Sequence, residues 1–186
     1  MSGKIKSFVK KNWWFGLFGA VITVACVGCI MIGTTTVSGN SMNPTYSNGD
    51  TLFMYKFGTP KRGDVIVCQN PLNGKVLIKR VIGIEGDKIE IDYENGIVKV
   101  NGLVIDEPYI QGRTVFCSEG TGVDYPYIVS EGCYFVMGDN REASDDSRLV
   151  GEVRNIYGIV IGGRKEYDED KYSGEDTWCV SPQKEN

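Results

Sequence analysis

The longest hydrophobic stretch of the chain covers positions 13–33 and reads WWFGLFGAVITVACVGCIMIG. It is 21 residues long, and Thr23 carries its only hydroxyl. As a helix it would be about 31 Å long, close to the thickness of a bilayer's hydrocarbon core. Trp13 and Trp14 stand where an interfacial aromatic belt is expected. The pattern predicts a transmembrane anchor over 13–33.

Two other interpretations of this stretch are a cleaved secretory signal and a buried core helix. A secretory signal usually has a shorter apolar region that ends at a small-x-small site, and IGTTTVSGN contains no Ala-x-Ala. A core helix of this length would need a larger helical domain around it. The sequence therefore favours an uncleaved anchor.

Charge is distributed very unevenly about the apolar stretch. Four lysines stand within residues 1–12, and the first acidic residue of the chain is Asp50. Because lysines and arginines accumulate on the cytoplasmic side of a membrane helix, residues 1–12 are predicted to be cytoplasmic. The rest of the chain is then predicted to be extracytoplasmic, as a single-pass protein of the cell membrane in contact with the lipid bilayer.

Beyond position 33 the pattern changes to short β-branched and aromatic segments separated by turn residues. KIEIDY alternates polar and apolar residues, and IVKV-NG-LVI is typical of a hairpin with an Asn101–Gly102 turn. Residues 34–164 are therefore predicted to form a mainly β domain, an antiparallel sheet or barrel-like structure. The predicted strands are 51–55, 64–69, 75–85, 88–93, 97–100, 103–105, 134–138 and 157–162. Residues 165–186 contain seven acidic residues and three lysines, which predicts a solvated acidic tail.

Composition excludes several kinds of chemistry. The chain has no histidine, which removes Ser-His-Asp triads, Cys-His dyads and imidazole-rich zinc sites. A net charge of −4 argues against nucleic acid as the main partner. Four of the six cysteines fall in the predicted extracytoplasmic part, where disulfides persist. Cys117 and Cys133 are the favoured pair, although the three possible complete pairings stay open.

Ser41 lies in VSGNSMNPT, eight residues after the predicted anchor. Ser, Asn, Gly and Pro are ordinary turn residues, so an isolated serine in this setting is most simply a turn residue. If Ser41 is a nucleophile, its base in a chain without histidine must be a carboxylate, a tyrosinate, an amine or a metal-bound water.

A lysine serves as a base when burial in apolar surroundings disfavours its charged form. Lys79 lies in the apolar segment VLIKRVIGI, where strand alternation places it on one face with Leu77 and Val81 and turns Arg80 to the other. Lys79 is therefore a candidate general base. The competing interpretation is a lysine at a strand edge that extends its amine into water.

A third polar stretch, GDNREASDDSR at 138–148, follows a predicted strand directly. Its charges are consistent with a solvated loop of surface ion pairs, which stabilise little. Loops at strand ends also carry functional residues on a rigid scaffold. A serine in this loop is suited to orient a neutral lysine amine, and an Asp–Arg pair is suited to fix the loop.

These stretches, in this order behind an apolar segment, resemble the bacterial type I signal peptidases. SGNSMNPT resembles the nucleophile motif of the family, and KRGDVIV at 61–67 resembles the segment between its catalytic strands. KRVIGIEGD at 79–87 resembles the general-base motif, and GDNREASDDSR the last signature. The resemblance covers roughly residues 5–162, and the order of the motifs adds to its specificity.

The resemblance implies a membrane-bound serine endopeptidase that removes signal peptides from preproteins through an acyl-enzyme, without a metal or organic cofactor. It assigns Ser41 as the nucleophile and Lys79 as the base. Ser144 is implied to hold the lysine amine. Asp146 and Arg148 are implied to form a supporting ion pair.

The resemblance also implies structural roles for Asp139 and Arg141 beside the site. The backbone N–H of Ser41 is implied to hold the oxyanion. Some members of the family have a serine two residues before the nucleophile as a second donor to the oxyanion. Here position 39 is glycine, as in the single-membrane branch of the family. Ser38 is an alternative source of a hydroxyl.

Substrate is implied to bind as an added strand whose small side chains enter shallow pockets. Met42, Leu77 and Ile78 are candidate walls of these pockets. Two other functions stay open at this point. One is a peptidase dedicated to pilin-like surface proteins, and the other is a non-catalytic, membrane-anchored β domain that binds envelope partners.

Overall fold

The computed structural model describes residues 14–15, 17–23, 28, 30–115 and 122–164. The predicted cytoplasmic segment, part of the predicted anchor, Cys117 and the acidic tail lie outside these residues. Among the described residues, no helix is both long and apolar enough to cross a bilayer. Cys133 is a buried free thiol in this structure.

The described residues from 32 onward form ten strands and a one-turn helix, and the described residues within 14–31 are helical. The strands are β1 (Ile32–Thr36), β2 (Thr51–Tyr55), β3 (Val65–Gln69), β4 (Val76–Ile84), β5 (Lys88–Asp92), β6 (Ile97–Val100), β7 (Leu103–Val104), β8 (Tyr127–Ile128), β9 (Tyr134–Met137) and β10 (Ile156–Arg164). The helix is α1 (Ser147–Val150). All strand pairs are antiparallel, so the predicted mainly β antiparallel fold is confirmed.

The strands divide into two sheets. The larger has six strands in the order β1-β2-β10-β3-β4-β9, and the smaller has four in the order β7-β6-β5-β8. Ile89 and Val98 of the small sheet share a core with Phe135 and Met137 of β9. The two sheets therefore pack against each other through buried apolar side chains, which stabilise the fold by removal from water.

Strand β1 differs from the sequence prediction. Ile32 and Gly33, placed at the end of the predicted anchor, pair with Tyr55 and Met54 of β2. The β6–β7 turn agrees with the prediction, because Asn101 and Gly102 have φ of 54° and 80°. Two consecutive positive φ angles are what a two-residue type I′ hairpin requires.

Strand β4 lies between β3 and β9 in the larger sheet and carries Lys79 of the candidate site. It pairs with β3 along Val76–Arg80 and with β9 from Arg80 to Ile84. The pairing with β9 contains a bulge between Val81 and Gly83. Each part of β4 is thus held by a neighbouring strand, and both neighbours meet at Arg80, so the side chains that project near Arg80 are precisely placed.

Candidate active site

Ser41 lies in the loop that joins β1 to β2. The two ends of this loop are joined by a hydrogen bond from Val37 N to Asp50 O of 2.8 Å. Inside the loop, Tyr46 N donates to Met42 O at 2.9 Å, and both side chains are buried in a core cluster. The loop is thus anchored from below by apolar contacts, and Ser41 is presented at its surface.

The side chain of Lys79 contacts that of Ser41. Its Nζ donates a hydrogen bond to Ser41 Oγ at 2.6 Å, although the two residues are 38 positions apart in the chain. Lys79 is only 3% exposed. The prediction that this lysine turns into the interior is therefore confirmed, and the alternative of an amine extended into water is wrong.

The surroundings of Lys79 favour its neutral form. Burial lowers the pKa of the amine below its ordinary value of 10.5, and this effect outweighs the opposing charges of Asp146, Cys68 and Asp145. Burial also raises the pKa of the Cys68 thiol, to about 12, so that thiol stays neutral near Lys79 at physiological pH. A buried amine without its charge has a lone pair available to accept a proton from a hydroxyl.

The loop after β9 closes the other side of the site. Asn140 N donates to Ser41 O at 3.0 Å, and Asn140 Nδ2 donates to Asn40 O at 3.2 Å. Ser144 is buried in the same loop. A Cβ at Gly138 would lie 2.2 Å from Ser144 Oγ and 2.5 Å from Ser41 O. Only glycine fits there, and the absence of a side chain lets the two loops approach each other.

Asp146 and Arg148 form the predicted ion pair, with Arg148 Nε 2.8 Å from Asp146 Oδ1 and both side chains buried. Asp146 also caps α1 by accepting from Arg148 N, and its Oδ2 accepts from Gly138 N at 2.9 Å. Arg148 in turn donates to Val115 O at 2.8 Å. The pair ties both ends of the 138–148 loop together, because one carboxylate serves Gly138 and Arg148 at once.

Asp139 and Arg141 lie in the same loop and have different partners. Asp139 accepts from Arg80 at 2.8 and 2.6 Å and also from the Thr45 hydroxyl. Arg141 is held by both oxygens of Glu107 and donates from Nε to Gly138 O at 3.0 Å. Sequence reasoning did not predict the side-chain partners, since Arg80, Thr45 and Glu107 lie 59, 94 and 34 positions away from the residues they contact.

The three residues predicted to form pocket walls do not all lie in one cluster. Met42 and Ile78 belong to one apolar cluster, whereas Leu77 packs in another. Met42 is 1% exposed, so it supports the loop from within the core. Near Ser41, Ser38 is exposed and Gly39 N donates to Asn48 Oδ1 at 2.9 Å. The role of these residues in substrate or oxyanion binding stays a prediction.

A hydroxyl hydrogen-bonded to a buried amine is the arrangement of a hydrolase that pairs a serine nucleophile with a lysine base. The family described as "Signal peptidase, peptidase S26" matches residues 10–161 of this chain. The chain belongs to that family.

Two relatives of known family agree with this assignment. Signal peptidase I V of Bacillus subtilis is 35% identical over 168 residues, which cover 82% of this chain and 98% of that protein. Signal peptidase I of Bacillus licheniformis is 36% identical over 155 residues, 77% of this chain and 82% of that protein. A crystal structure of a signal peptidase I from Enterococcus faecalis is matched with a TM-score of 0.46 and 31% identity, over 55% of this chain and 97% of that one.

Proposed function

We propose that this protein is a membrane-bound serine endopeptidase that cleaves N-terminal signal peptides from exported preproteins, with Ser41 as nucleophile and Lys79 as general base. The observation that carries the proposal is the 2.6 Å hydrogen bond between Lys79 Nζ and Ser41 Oγ on an almost fully buried lysine. A base must reach the proton it removes, within about 2.6–3.2 Å. This distance favours the enzyme over the non-catalytic binding domain.

In the first step Ser41 Oγ attacks the carbonyl carbon of the scissile peptide bond while its proton moves to Lys79 Nζ. The tetrahedral oxyanion receives a hydrogen bond from the Ser41 backbone N–H. The intermediate collapses as the Lys79 ammonium returns the proton to the leaving nitrogen. The mature protein departs with a free amino terminus, and the signal peptide remains as an ester on Ser41.

In the second step a water molecule attacks the ester carbonyl and gives a proton to neutral Lys79. The second tetrahedral intermediate collapses, and the ammonium returns that proton to Ser41 Oγ. The signal peptide leaves as a carboxylate, with its proton released to solvent. Ser144 positions the lysine amine, in keeping with its burial next to the Ser41 loop, and Asp146 with Arg148 holds Ser144 in place.

Substrate adds as an extended strand beside β4. The ladder between β4 and β9 begins at Arg80, so among the described strands residues 76–79 pair only with β3. Their remaining edge leaves backbone N–H and C=O groups available to an extended peptide next to Lys79. This geometry would carry the scissile bond past the Ser41 hydroxyl.

The part of the apolar segment that precedes β1, residues 13–31, anchors the enzyme with residues 1–12 in the cytoplasm and the β domain outside. A preprotein in transit is itself inserted in the membrane through its signal peptide. Confining enzyme and substrate to one bilayer raises their effective concentration. The anchor thus serves the reaction without contributing to its chemistry.

The test is cleavage of a preprotein with an Ala-x-Ala site by the full chain in liposomes. Ser41→Ala and Lys79→Ala are expected to lose at least about 10³-fold in kcat/KM, because each removes half of the reacting pair. Ser47→Ala and Lys75→Ala, exposed residues beside the same loop and strand, are the matched controls and should cleave like wild type. Near-normal turnover by Lys79→Ala would contradict the proposal.

A further inference from the structure

An arm between β7 and residue 115 connects the small sheet to the candidate site. It contains Tyr109, whose ring lies against the guanidinium of Arg80, with 4.0 Å from Arg80 Cζ to the ring centroid. The Tyr109 hydroxyl donates to Glu107 Oε1 at 3.2 Å. Glu107 in turn holds Arg141 of the loop after β9. The arm therefore contacts both the lysine-bearing strand and the loop that flanks Ser41.

Arg80 is the point at which three parts of the site meet. It donates to both oxygens of Asp139, to Gly63 O at 2.7 Å and to Thr45 Oγ1 at 3.5 Å. Thr45 belongs to the Ser41 loop, and Asp139 precedes Asn140, which binds Ser41 O. Since Arg80 directly follows Lys79 on β4, its position fixes the spacing between nucleophile and base.

Tyr109 completes the surroundings of Arg80. The arginine donates in its own plane to Asp139, Gly63 and Thr45, which leaves the faces of the guanidinium for stacking. The ring covers a face, and the Arg80 side chain is only 11% exposed. An aromatic face over a desolvated guanidinium attracts its charge and excludes competing water.

We propose that Tyr109 is a positioning residue for peptide cleavage, acting through Arg80 to hold Ser41 and Lys79 at reacting distance. The inference rests on the proposed function. It assigns to the arm after β7, which contributes no residue to the reacting pair, a role in setting the turnover rate. In this role Tyr109 acts through Arg80 and not on the substrate, so its replacement should lower kcat and leave KM nearly unchanged.

The experiment measures kcat and KM of full-length enzyme in liposomes with an Ala-x-Ala preprotein. Tyr109→Leu is expected to lower kcat roughly 5- to 30-fold with KM within about twofold, the size expected for a desolvated cation–π contact. Tyr109→Phe keeps the ring and should recover most of that loss. Tyr157→Leu, a change at an exposed tyrosine of β10, is the matched control and should behave like wild type.

A double-mutant cycle separates action through Arg80 from a general loss of stability. Under single-turnover conditions with excess enzyme, adding Tyr109→Leu to Arg80→Gln should change the rate less than about twofold, because the residue through which Tyr109 acts is gone. The inference is overturned if the two losses multiply, if Tyr109→Leu keeps wild-type kcat, or if Tyr109→Phe loses as much as Tyr109→Leu. An active Ser41→Ala control would instead overturn the proposed function itself, so the two failures are distinguishable.

Discussion

Lys79 and Arg80 are consecutive residues on opposite faces of β4, and their pKa values shift in opposite directions. Lys79 donates to a neutral hydroxyl, and burial lowers its pKa in spite of the more distant Asp146. Burial also acts to lower the pKa of Arg80, yet the hydrogen bonds and charge of Asp139 raise it above its ordinary value. Burial alone therefore does not decide the charge state; a carboxylate in direct contact does.

The two faces of β4 therefore have different roles in the candidate site. The Arg80 face is a permanently charged network that fixes three chain segments relative to one another. In the proposed reaction, the Lys79 face keeps an amine that is free to change its charge. A salt bridge to Lys79 would stabilise its charged form and remove the base, so the lysine must be held in place by its neighbours' positions instead.

The largest effect is expected on the Lys79 face, from Gly138→Ala. The new methyl would overlap Ser144 Oγ and the Ser41 carbonyl oxygen, and a backbone atom cannot yield as a flexible side chain can. The two loops should separate and kcat/KM should fall by about 10²–10³-fold, the scale expected when reacting groups are displaced by about 1 Å. Cleavage kinetics, with circular dichroism to verify folding, would measure this. A folded Gly138→Ala enzyme with wild-type kcat/KM would contradict the described packing.

On the Arg80 face, Arg80→Met should lower the free energy of unfolding by about 3–5 kcal/mol, because it leaves the Asp139 carboxylate buried without its cation. Adding Asp139→Asn should recover a large part of this loss, since the second change removes the unpaired charge. Urea unfolding of the full chain in detergent, followed by circular dichroism, gives both values. Equal instability of the single and double variants would show that the pair's charge is not the reason.

Lys79→Met should stabilise the fold, whereas Arg80→Met destabilises it, and it should abolish activity. Because the folded-state pKa of Lys79 lies below 10.5, the unfolded chain binds more protons between the two values, and wild-type stability rises with pH in that window. The gain from methionine should be largest at low pH and shrink as pH approaches 10.5. Each unit of lowering corresponds to about 1.4 kcal/mol.

Unfolding free energies of Lys79→Met and wild type across this pH range would measure the gain. Lys75→Met, at an exposed lysine just before the same strand, should change stability little at any pH. A gain at Lys79 that did not depend on pH would have to come from packing, and the lowered pKa would then not be its cause.

The smallest effect is expected from Arg62→Met, which removes the half-exposed arginine of an Arg–Asp pair whose carboxylate keeps other hydrogen bonds. Arg62 also donates from two nitrogens to a carboxylate, that of Asp87, but its side chain is 49% exposed. Water replaces the lost contacts, and Asp87 keeps hydrogen bonds from Ile84 N and Asn101. Thermal unfolding should show a cost below about 1 kcal/mol. A cost equal to that of Arg80→Met would mean that the greater exposure of Arg62 does not make its ion pair weaker than the Arg80–Asp139 pair.

Local pattern predicted much of this arrangement. Alternation along VLIKRVIGI placed Lys79 and Arg80 on opposite faces, and the strand segments agreed with the structure to within a few residues. The sequence could not supply the partners of Arg80, since Asp139 lies 59 positions away and several carboxylates compete for the same arginine. The sequence also could not predict the role of Gly138, because the need for glycine arises only where two distant loops meet.

The boundaries that were missed have physical reasons too. Strand β1 begins within an apolar stretch, where helix and strand patterns cannot be told apart. The single turn of α1 is too short to show a helical period, and it is set by its Asp146 cap. Tyr109 lies in an arm whose sequence is ordinary turn and coil, so its contact with Arg80 depends entirely on tertiary packing.

The proposed reaction depends on burial lowering the pKa of the Lys79 amine, so that the amine loses its charge more readily than an exposed lysine. The most direct measurement is the pH titration of its side chain by NMR, in full-length protein with ¹³C at lysine Cε, where the Lys79 signal is the one lost in Lys79→Met. A midpoint clearly below 10.5 is expected for Lys79, because burial lowers the pKa of its amine. A Lys79 midpoint at or above 10.5 would leave Ser41 without a proton acceptor and contradict the account.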